Sequence, residues 1–364
     1  MKNFKIGDLL ARIPIVQGGM GVGVSLSGLA SAVANEGGVG VISSAGLGLL
    51  YKKRGLDFCA ASIEGLRSEI REARQKSKGV IGVNIMVAMT NFSDMVKTSI
   101  EEKIDVIFSG AGLPLNLPSY LTKDSETKLV PIVSSIRALK LICQKWLSSY
   151  NYLPDAIVLE GPKAGGHLGF KKNQLADEAF SLEAMLPAAA IELARIEKES
   201  GKKIPLIAAG GIFTGEDVYK AIELGATAVQ MGTRFVTTVE CDASESFKQL
   251  YIDATEEDVV IIDSPVGMPG RALRSPFLEQ VALGNSSPKS CPFHCIHTCK
   301  VEKSPYCIML ALYNAYKGNF TRGYAFAGTS VAKAKAIVTV KEMLTNLKSE
   351  WEEFSFSKRE LAMG

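Results

Sequence analysis

The residue that most directly suggests chemistry is His167, which follows the glycine pair Gly165-Gly166. It is the only histidine outside a cysteine-rich region near residue 300. A lone histidine is more often a packed or surface residue, but a ring that follows two glycines at a strand end can project into a pocket. There it can donate to a carbonyl or exchange a proton near pH 7. We therefore predict that His167 is catalytic or orients the substrate.

Glycines also mark two later turns, Gly210-Gly211 and Gly232-Thr233. Glycine lets backbone N–H groups approach a flat or anionic ligand closely. A single pair would be equally consistent with a tight turn. The two turns follow the seventh and eighth of the eight strands that are predicted below. In a barrel of eight parallel strands, a bound phosphate usually lies at these two strand ends. The pattern favours a bound phosphate.

Four of the seven cysteines lie within seventeen residues, in the pattern Cys291-x₃-Cys295-x₃-Cys299-x₇-Cys307. In a cytosolic chain this spacing indicates a metal site rather than disulfides. Thiolates bind both iron–sulfur clusters and zinc, and His294 could join a zinc site, as could His297. The spacing alone leaves a cluster, zinc and unliganded thiols open. The remaining cysteines are scattered and are predicted to be structural thiols.

The charge balance and hydropathy exclude several classes of protein. The 364 residues include 41 Lys and Arg against 38 Asp and Glu, so that the net charge is +3 and gives no electrostatic case for binding nucleic acid or a membrane surface. No apolar run approaches the length of a membrane span. Lys5 and Asp8 stand where a signal peptide needs its apolar stretch. We expect a cytoplasmic protein.

The secondary-structure elements that must position these residues alternate regularly along the chain, as short apolar runs and helical segments. Eight runs rich in valine and isoleucine predict buried parallel strands, at residues 13–16, 39–42, 80–85, 105–109, 130–133, 155–159, 205–208 and 227–230. Six helices are predicted between them, at 27–36, 62–77, 92–103, 136–150, 181–200 and 216–224. Eight strands, with no G-x-G-x-x-G turn, favour a (β/α)₈ TIM barrel of the α/β class over a doubly wound sheet.

Three regions are predicted along the chain. A barrel fills residues 1–240, a cysteine-rich insertion or cap fills 241–325, and residues 326–364 return to the barrel. The long excursion at 46–79 is predicted to act as a further cap. A final helix over 331–347 is expected to close the barrel, because its apolar residues lie near one face. The charged tail at 348–364 is predicted to be mobile.

Several motifs together resemble a known family, the nitronate monooxygenase (2-nitropropane dioxygenase) and flavin-type enoyl-ACP reductase family. They are Pro14-Ile15-Val16-Gln17-Gly18-Gly19-Met20, Gly82-Val83-Asn84-Ile85-Met86, Gly110-Ala111-Gly112-Leu113-Pro114, Glu160-Gly161 with Gly165-Gly166-His167, Ile207-Ala208-Ala209-Gly210-Gly211-Ile212, Gln230-Met231-Gly232-Thr233-Arg234-Phe235 and Val266-Gly267-Met268-Pro269-Gly270-Arg271-Ala272. The likeness covers about residues 10–280. It implies an FMN-binding barrel with oxidoreductase activity.

The resemblance also implies roles for individual residues. The backbone around Gly18, Gly19 and Met20 would lie against the flavin ring. Ring-edge or ribityl groups would be held by Asn84, Ser134 and Glu160. Ribityl and phosphate groups would be held by Gly165, Gly210, Gly211, Gln230, Gly232 and Thr233. His167 matches the active-site histidine of the family. This chain has Lys163 where the family often has glutamate.

The cysteine segment resembles the iron–sulfur branch of the family, typified by the bifunctional acyl-ACP dehydrogenase/isomerase of unsaturated fatty acid synthesis. That enzyme has similar Cys-x₃-Cys-x₃-Cys and Tyr-Cys motifs, the latter here Tyr306-Cys307. The resemblance favours a 4Fe–4S cluster on Cys291, Cys295, Cys299 and Cys307 over zinc. A departure occurs at residues 330–333, where the closing motif of the family is weakened to Ser-Val-Ala-Lys.

The leading expectation is an FMN oxidoreductase that acts on an acyl thioester carried by acyl carrier protein or on a small molecule. Enoyl reduction, acyl dehydrogenation and double-bond isomerisation share the required geometry, so the direction stays open. The alternatives are oxidation of alkyl nitronates with oxygen and a non-catalytic flavin or iron–sulfur redox protein. The sequence leaves a homodimer open.

Overall fold

The structure, a computed structural model, describes residues 1–53 and 55–363, and its account of side chains ends at residue 360. The strands of the described part are, in chain order, β1 (Phe4–Ile6), β2 (Leu9–Ala11), β3 (Ile15–Gln17), β4 (Val39–Ser43), β5 (Val80–Met86), β6 (Val106–Gly110), β7 (Lys128–Val133), β8 (Ile157–Glu160), β9 (Gly166–His167), β10 (Leu206–Ala209), β11 (Ala228–Met231), β12 (Val259–Asp263) and β13 (Pro269–Leu273). None of the helices described below is both long enough and apolar enough to cross a membrane.

The α-helices are α1 (Ser27–Asn35), α2 (Leu47–Leu50), α3 (Phe58–Lys76), α4 (Phe92–Glu101), α5 (Ile136–Tyr150), α6 (Leu182–Ser200), α7 (Gly215–Glu223), α8 (Thr233–Val236), α9 (Glu245–Asp253), α10 (Pro276–Ala282), α11 (Ile308–Tyr316) and α12 (Val340–Met363). The six predicted helices correspond to α1, α3, α4, α5, α6 and α7. Their boundaries differ by a few residues because caps such as Asp57 and Ser181 set the first turn.

Eight parallel strands close into a barrel in the order β10-β11-β3-β4-β5-β6-β7-β8, which confirms the predicted TIM barrel. The barrel closes where β11 pairs with β3, with Val229 opposite Ile15. Within β4, Val41 belongs to the cluster that fills the barrel and Ile42 to the cluster beneath the helices. Both faces of the strands are therefore buried, which is why their sequences are continuously apolar.

An antiparallel hairpin of β1 and β2 precedes the barrel. Phe4, Ile6 and Ala11 from this hairpin join the cluster inside the barrel, which also contains Phe108 and Val158. The hairpin therefore contributes to the barrel core, although its strands are too short to give a clear sequence pattern.

The excursion at 46–79 differs from the cap that the sequence predicted. Its main element, α3, packs between α1 and α4. It is therefore the second helix of the barrel wall. Only the shorter α2 and its flanking residues lie near the carboxyl ends of the strands, where Ala45 lines the central cavity.

The C-terminal region departs furthest from the prediction. Residues 331–333 form a single 3₁₀ turn, and the helix α12 begins only at Val340. A capping box starts it, in which Thr339 Oγ1 accepts from the Glu342 N–H at 3.1 Å and Glu342 Oε2 accepts from the Thr339 N–H at 2.8 Å. Residues 348–363 of the tail predicted to be mobile continue this helix, and residue 364 lies outside the described residues. A C-terminal helix is therefore present, but its predicted bounds of 331–347 are wrong, and so is the predicted mobility of residues 348–363.

Helix α12 packs against α7 and α1, on either side of the seam where the barrel closes. It therefore takes the place of the eighth barrel helix, although about a hundred residues separate it from β11. Buried Val340, Met343, Leu344 and Leu347 attach it to the core. The predicted division at residues 240 and 325 stays a prediction.

An ion pair fixes α12 to the barrel. Arg234, which is 9% exposed, makes a bidentate pair with Glu350 at 2.8 and 3.0 Å. The second carboxylate oxygen also accepts from the Gly215 N–H at 2.7 Å, at the start of α7. One carboxylate thus joins α12 to α7 and α8.

We predict that Glu350→Gln lowers the free energy of unfolding by about 1–2 kcal/mol, because the buried guanidinium loses its charged partner while the amide keeps the shape. Chemical denaturation monitored by circular dichroism measures this change. The control is Glu352→Gln, two residues along, whose exposed carboxylate lies 3.8 Å from Lys348. It should change stability by less than about 0.5 kcal/mol. Equal effects from both variants would show that the pair does not fix α12.

Candidate functional site

A cavity of about 260 Å³ opens at the carboxyl ends of the barrel strands. Twelve of the residues predicted for the site line it: Gly18, Gly19, Met20, Asn84, Glu160, Gly165, His167, Gly210, Gly211, Gln230, Gly232 and Thr233. They come from five of the eight strand ends, those of β3, β5, β8, β10 and β11, as expected for a barrel site. The structure thus brings these residues together, and their individual roles stay predictions.

Ser134 is the one predicted cofactor residue that is not among those lining this cavity. It follows β7, and the segment after β9 packs directly on it, since a Cβ at Gly169 would overlap Ser134 Oγ. The sequence placed Ser134 correctly at a strand end. It could not show that another segment of the chain would cover it.

Glycines on the cavity wall leave room for close approach. Gly210 and Gly211 have φ values of +96° and +83°, which other residues rarely adopt. At Gly232 an added Cβ would meet nothing closer than Met20 Sδ, at 3.4 Å. A side chain at Gly232 would therefore fit the protein but point into the space of a ligand.

Polar side chains on the wall lack partners within the described part of the chain. Asn84, Glu160 and Gln230 line the cavity, and no side-chain hydrogen bond to a described residue forms at any of the three. Burial raises the pKa of Glu160 to about 7. Unpaired polar groups in a buried wall are costly unless a ligand satisfies them. This wall fits a flat, polar cofactor such as the flavin that the resemblance implies.

His167 lies in a short strand outside the barrel sheet. It belongs to β9, whose partner is β13, with His167 opposite Gly270. The ring nitrogen Nε2 lies 2.8 Å from Ser264 Oγ, and Phe326 packs edge-on against the ring, with centroids 5.0 Å apart. Burial lowers the pKa of His167 to about 4, so the ring is neutral near pH 7.

The loop between β8 and β9 is held by a buried arginine. Arg271, on β13, is 6% exposed and donates to the carbonyl oxygens of Pro162 and Ala164. Burial lowers its pKa. The backbone of this loop carries Gly165 to the cavity. Lys163 lies on the same loop and is exposed, with only a 4.0 Å approach to Glu183.

Sequence reasoning missed the part of the cavity wall that comes from the region after the barrel. Apolar and aromatic side chains from the region after the barrel line it, including Leu312, Tyr324 and Phe326. Val22 and Met86 face the cavity from the barrel side. The β-branched run at residues 259–262 could have predicted an extra strand, but no local signal shows that this strand and its partner reach His167.

Three of the four clustered cysteines, Cys295, Cys299 and Cys307, belong to the hydrophobic cluster that also contains Tyr324 and Phe326 of this wall. Cys295 is buried, and its pKa is raised to about 12 by burial and then by the nearby charges of Cys307, Cys291 and Cys299. Even so, among the residues that the structure describes, no group of three or more His, Cys, Asp or Glu side chains is arranged to hold a metal ion. The predicted 4Fe–4S cluster on these cysteines, and the zinc alternative, find no support in the structure.

The cysteine segment nevertheless docks on the barrel. The Thr90 N–H donates to the Cys295 carbonyl at 3.2 Å, and Thr90 Oγ1 donates to the His294 carbonyl at 2.6 Å. Met89 forms an isolated bridge with Ile296 beside these contacts. The loop after β5 thus fixes the segment that backs the apolar part of the cavity.

Comparison with known proteins agrees with this architecture. The family model for nitronate monooxygenase matches residues 2–99 and 72–350. A structure of FabK from Thermotoga maritima is 28% identical, with a TM-score of 0.73 over 98% of this chain and 97% of that one. A nitroalkane oxidase from Streptomyces ansochromogenes, 21% identical, has a TM-score of 0.71 over 95% and 97% of the two chains, which shows a shared fold.

Two curated relatives are similar over about three quarters of the chain. A Mycobacterium tuberculosis protein named (3aS,4S,5R,7aS)-5-hydroxy-7a-methyl-1-oxo-octahydro-1H-indene-4-carboxyl-CoA dehydrogenase is 28% identical over 75% of this chain, and the match spans 66% of that protein, just under two thirds. A "probable nitronate monooxygenase" of Staphylococcus aureus is 26% identical over 77% of this chain and 81% of its own length. With a family model that spans nearly the whole chain and a barrel shared with oxidoreductases, the chain belongs to the nitronate monooxygenase family and is an oxidoreductase.

Proposed function

We propose that the chain is an FMN-dependent oxidoreductase that acts on acyl thioesters. The observation that carries the proposal is the charge of the cavity. Among the described residues that line it, none is lysine or arginine, and the only histidine, His167, is neutral near pH 7. Beside His167 the wall is apolar, with Phe326 and Tyr324.

The absence of a cation distinguishes the two candidate substrates. A nitronate is an anion, and burying it without a cationic partner costs free energy. The carboxyl of Glu160, which also lines the cavity, would oppose such an anion once it is ionised. A thioester carbonyl is neutral and needs only a hydrogen-bond donor, while its acyl chain gains from apolar walls. The cavity therefore favours a thioester over a nitronate.

The fit of FMN rests on the features of the wall. Backbone N–H groups around Gly210, Gly211 and Gly232 would hold the phosphate, which needs no lysine when several amides converge. Asn84, Glu160 and Gln230 would satisfy the polar groups of the ring and the ribityl chain, which are the roles that the resemblance implies for them. When bound, FMN supplies hydride transfer.

His167 acts on the carbonyl side of the substrate. A neutral imidazole can donate a hydrogen bond to the thioester oxygen, or accept the α-proton if its unprotonated nitrogen faces that carbon. Phe326, packed against the ring, helps to exclude water from this position. The apolar wall formed by Leu312 and Tyr324 would hold the acyl chain. A relative named as a carboxyl-CoA dehydrogenase supports thioester chemistry on this barrel.

Anaerobic absorbance of the flavin tests the proposal. The oxidised protein is mixed with a saturated acyl thioester, and the dithionite-reduced protein with the corresponding enoyl thioester, each on acyl carrier protein and on coenzyme A. We expect that at least one saturated thioester bleaches the flavin bands of the oxidised protein, or that at least one enoyl thioester restores the bands of the reduced protein. Propionate 3-nitronate should leave the bands unchanged. Bleaching by the nitronate with no response to either thioester would contradict the proposal and favour nitronate oxidation.

The variant His167→Ala should keep its flavin, because the predicted phosphate and ribityl contacts lie elsewhere. Its thioester-dependent flavin reaction, followed by stopped flow, should slow by roughly 10²–10⁴-fold, the usual share of general acid–base catalysis. Lys145→Ala, an exposed residue on α5, is the control and should react like the wild type. A wild-type rate in His167→Ala would show that the histidine is a bystander.

The placement of the phosphate predicts the behaviour of Gly232→Asp. The added carboxylate has room in the protein but would repel the phosphate, so the variant should fold and purify with little flavin. Flavin content is measured as the ratio of absorbance near 450 nm to that at 280 nm, and folding by thermal unfolding. Ser148→Asp, on the exposed face of α5, adds the same charge and should keep the flavin. A Gly232→Asp variant that keeps the wild-type flavin content would show that the phosphate does not bind at this position.

The raised pKa of Glu160 predicts a pH-dependent stability of the flavin-free protein. The folded carboxyl keeps its proton up to about pH 7, whereas the unfolded one loses it near 4.5. Stability is therefore lost as the pH rises from 4.5 through 7. Glu160→Gln should match the wild type near pH 5 and melt higher than it near pH 8, as measured by calorimetry. The exposed Glu353→Gln is the control. An identical pH profile for wild type and Glu160→Gln would contradict the burial of this carboxyl.

A further inference from the structure

We infer that Ser264 is a positioning residue: its hydroxyl donates to His167 Nε2 and so keeps the ring proton on Nδ1, as a donor for the substrate. The inference deepens the proposed function and rests on it for the identity of the substrate. Its geometric part depends only on residues of this chain. Ser264 lies ninety-seven positions from His167 in the sequence and just beyond β12.

The direction of the hydrogen bond follows from the surroundings of Ser264. Its Oγ lies 2.8 Å from His167 Nε2 and accepts from the Val266 N–H at 3.3 Å. Within the described part of the chain, the hydroxyl proton has no acceptor other than Nε2. Ser264 is 8% exposed, so water does not readily offer an alternative. The hydroxyl therefore donates to Nε2.

The tautomer of His167 follows from that direction. A neutral imidazole carries one proton, and Nε2 accepts a hydrogen bond only when it is unprotonated. The proton then sits on Nδ1, which makes no hydrogen bond to any residue that the structure describes. The opposite tautomer would donate Nε2–H to Ser264 and leave Nδ1 as an acceptor, unable to bind a carbonyl oxygen. Ser264 thus selects the form that donates to a thioester.

Both partners are held by the same small sheet. β9, which contains His167, pairs with β13, and β13 pairs with β12, so the order is β12-β13-β9. The turn after β12 is fixed by a Gly267 N–H donating to the Ser264 carbonyl at 2.9 Å and a Ser264 N–H donating to the Met268 carbonyl at 3.3 Å. Phe326 packs edge-on against the same ring. The backbone pairing of the sheet therefore holds both partners of the hydrogen bond in place.

Nitrogen NMR of the flavoprotein labelled with ¹⁵N at histidine rings tests the inference without any substrate. Long-range proton–nitrogen spectra distinguish Nδ1–H from Nε2–H, and His167→Asn identifies the signals of His167 among those of the three histidines. We expect Nδ1–H in the wild type and in Ser264→Thr, which keeps the hydroxyl. Ser264→Ala should show a mixture or Nε2–H. Nε2–H in the wild type, or an unchanged tautomer in Ser264→Ala, would overturn the inference.

Turnover supplies the second measurement. Ser264→Ala should keep its flavin and its KM but lose roughly 10-fold or more in kcat, a part of the 10²–10⁴-fold that general acid–base catalysis contributes. Ser264→Thr should restore most of this loss, and Ser148→Ala on α5 serves as the control. A wild type that is inactive on thioesters but keeps the Ser264-dependent tautomer would refute the proposed function and leave the inference standing. Full thioester turnover in Ser264→Ala would refute the inference alone.

Discussion

The pairing of β9 with β13 is the constraint on which the site depends. A two-residue strand in the loop after β8 cannot hold a side chain in place by itself. Its partner, β13, comes from a segment beyond the barrel and fixes the backbone of His167 opposite Gly270. The same strand carries Arg271, whose buried guanidinium binds the carbonyl oxygens of the loop before β9. The barrel places His167 at the cavity, and the pairing of β9 with β13 orients its side chain.

Burial sets the charge state of the cavity, and it acts in opposite directions on the two groups that titrate there. It raises the pKa of Glu160 and lowers that of His167, because in each case the charged form loses hydration. Among the described residues, neither group has a charged partner that would reverse the effect. The cavity is therefore close to neutral around its apolar wall, which suits a neutral carbonyl and a hydrophobic chain better than a small anion.

The long segment between β11 and α12 explains how one barrel acquires this wall. The eighth helix is not the next element after the eighth strand, and the intervening residues carry β12, β13 and α11 over the carboxyl ends of the strands. Helix α12 then returns to the seam between α7 and α1. The ion pair of Arg234 with Glu350 joins the two ends of this segment, since it links α8, directly after the last barrel strand, to the returning helix α12. Insertion at this point leaves the barrel intact because loops at strand ends tolerate added chain.

The sequence by itself determined the barrel, because its strands are apolar on both faces and its helices are separated by clear turns. It also determined which strand ends carry glycine and polar residues, including twelve residues that meet in the cavity. The start of α12 was readable in principle, from the Thr339 and Glu342 capping box. Tertiary structure alone decided that the segment after β9 packs on Ser134, that Cys295, Cys299 and Cys307 share one hydrophobic cluster, and that Ser264 reaches His167. It also decided that the described residues contain no group of His, Cys, Asp or Glu side chains arranged to hold a metal ion. These outcomes depend on contacts between residues far apart in the chain, and local periodicity and spacing carry no information about such contacts.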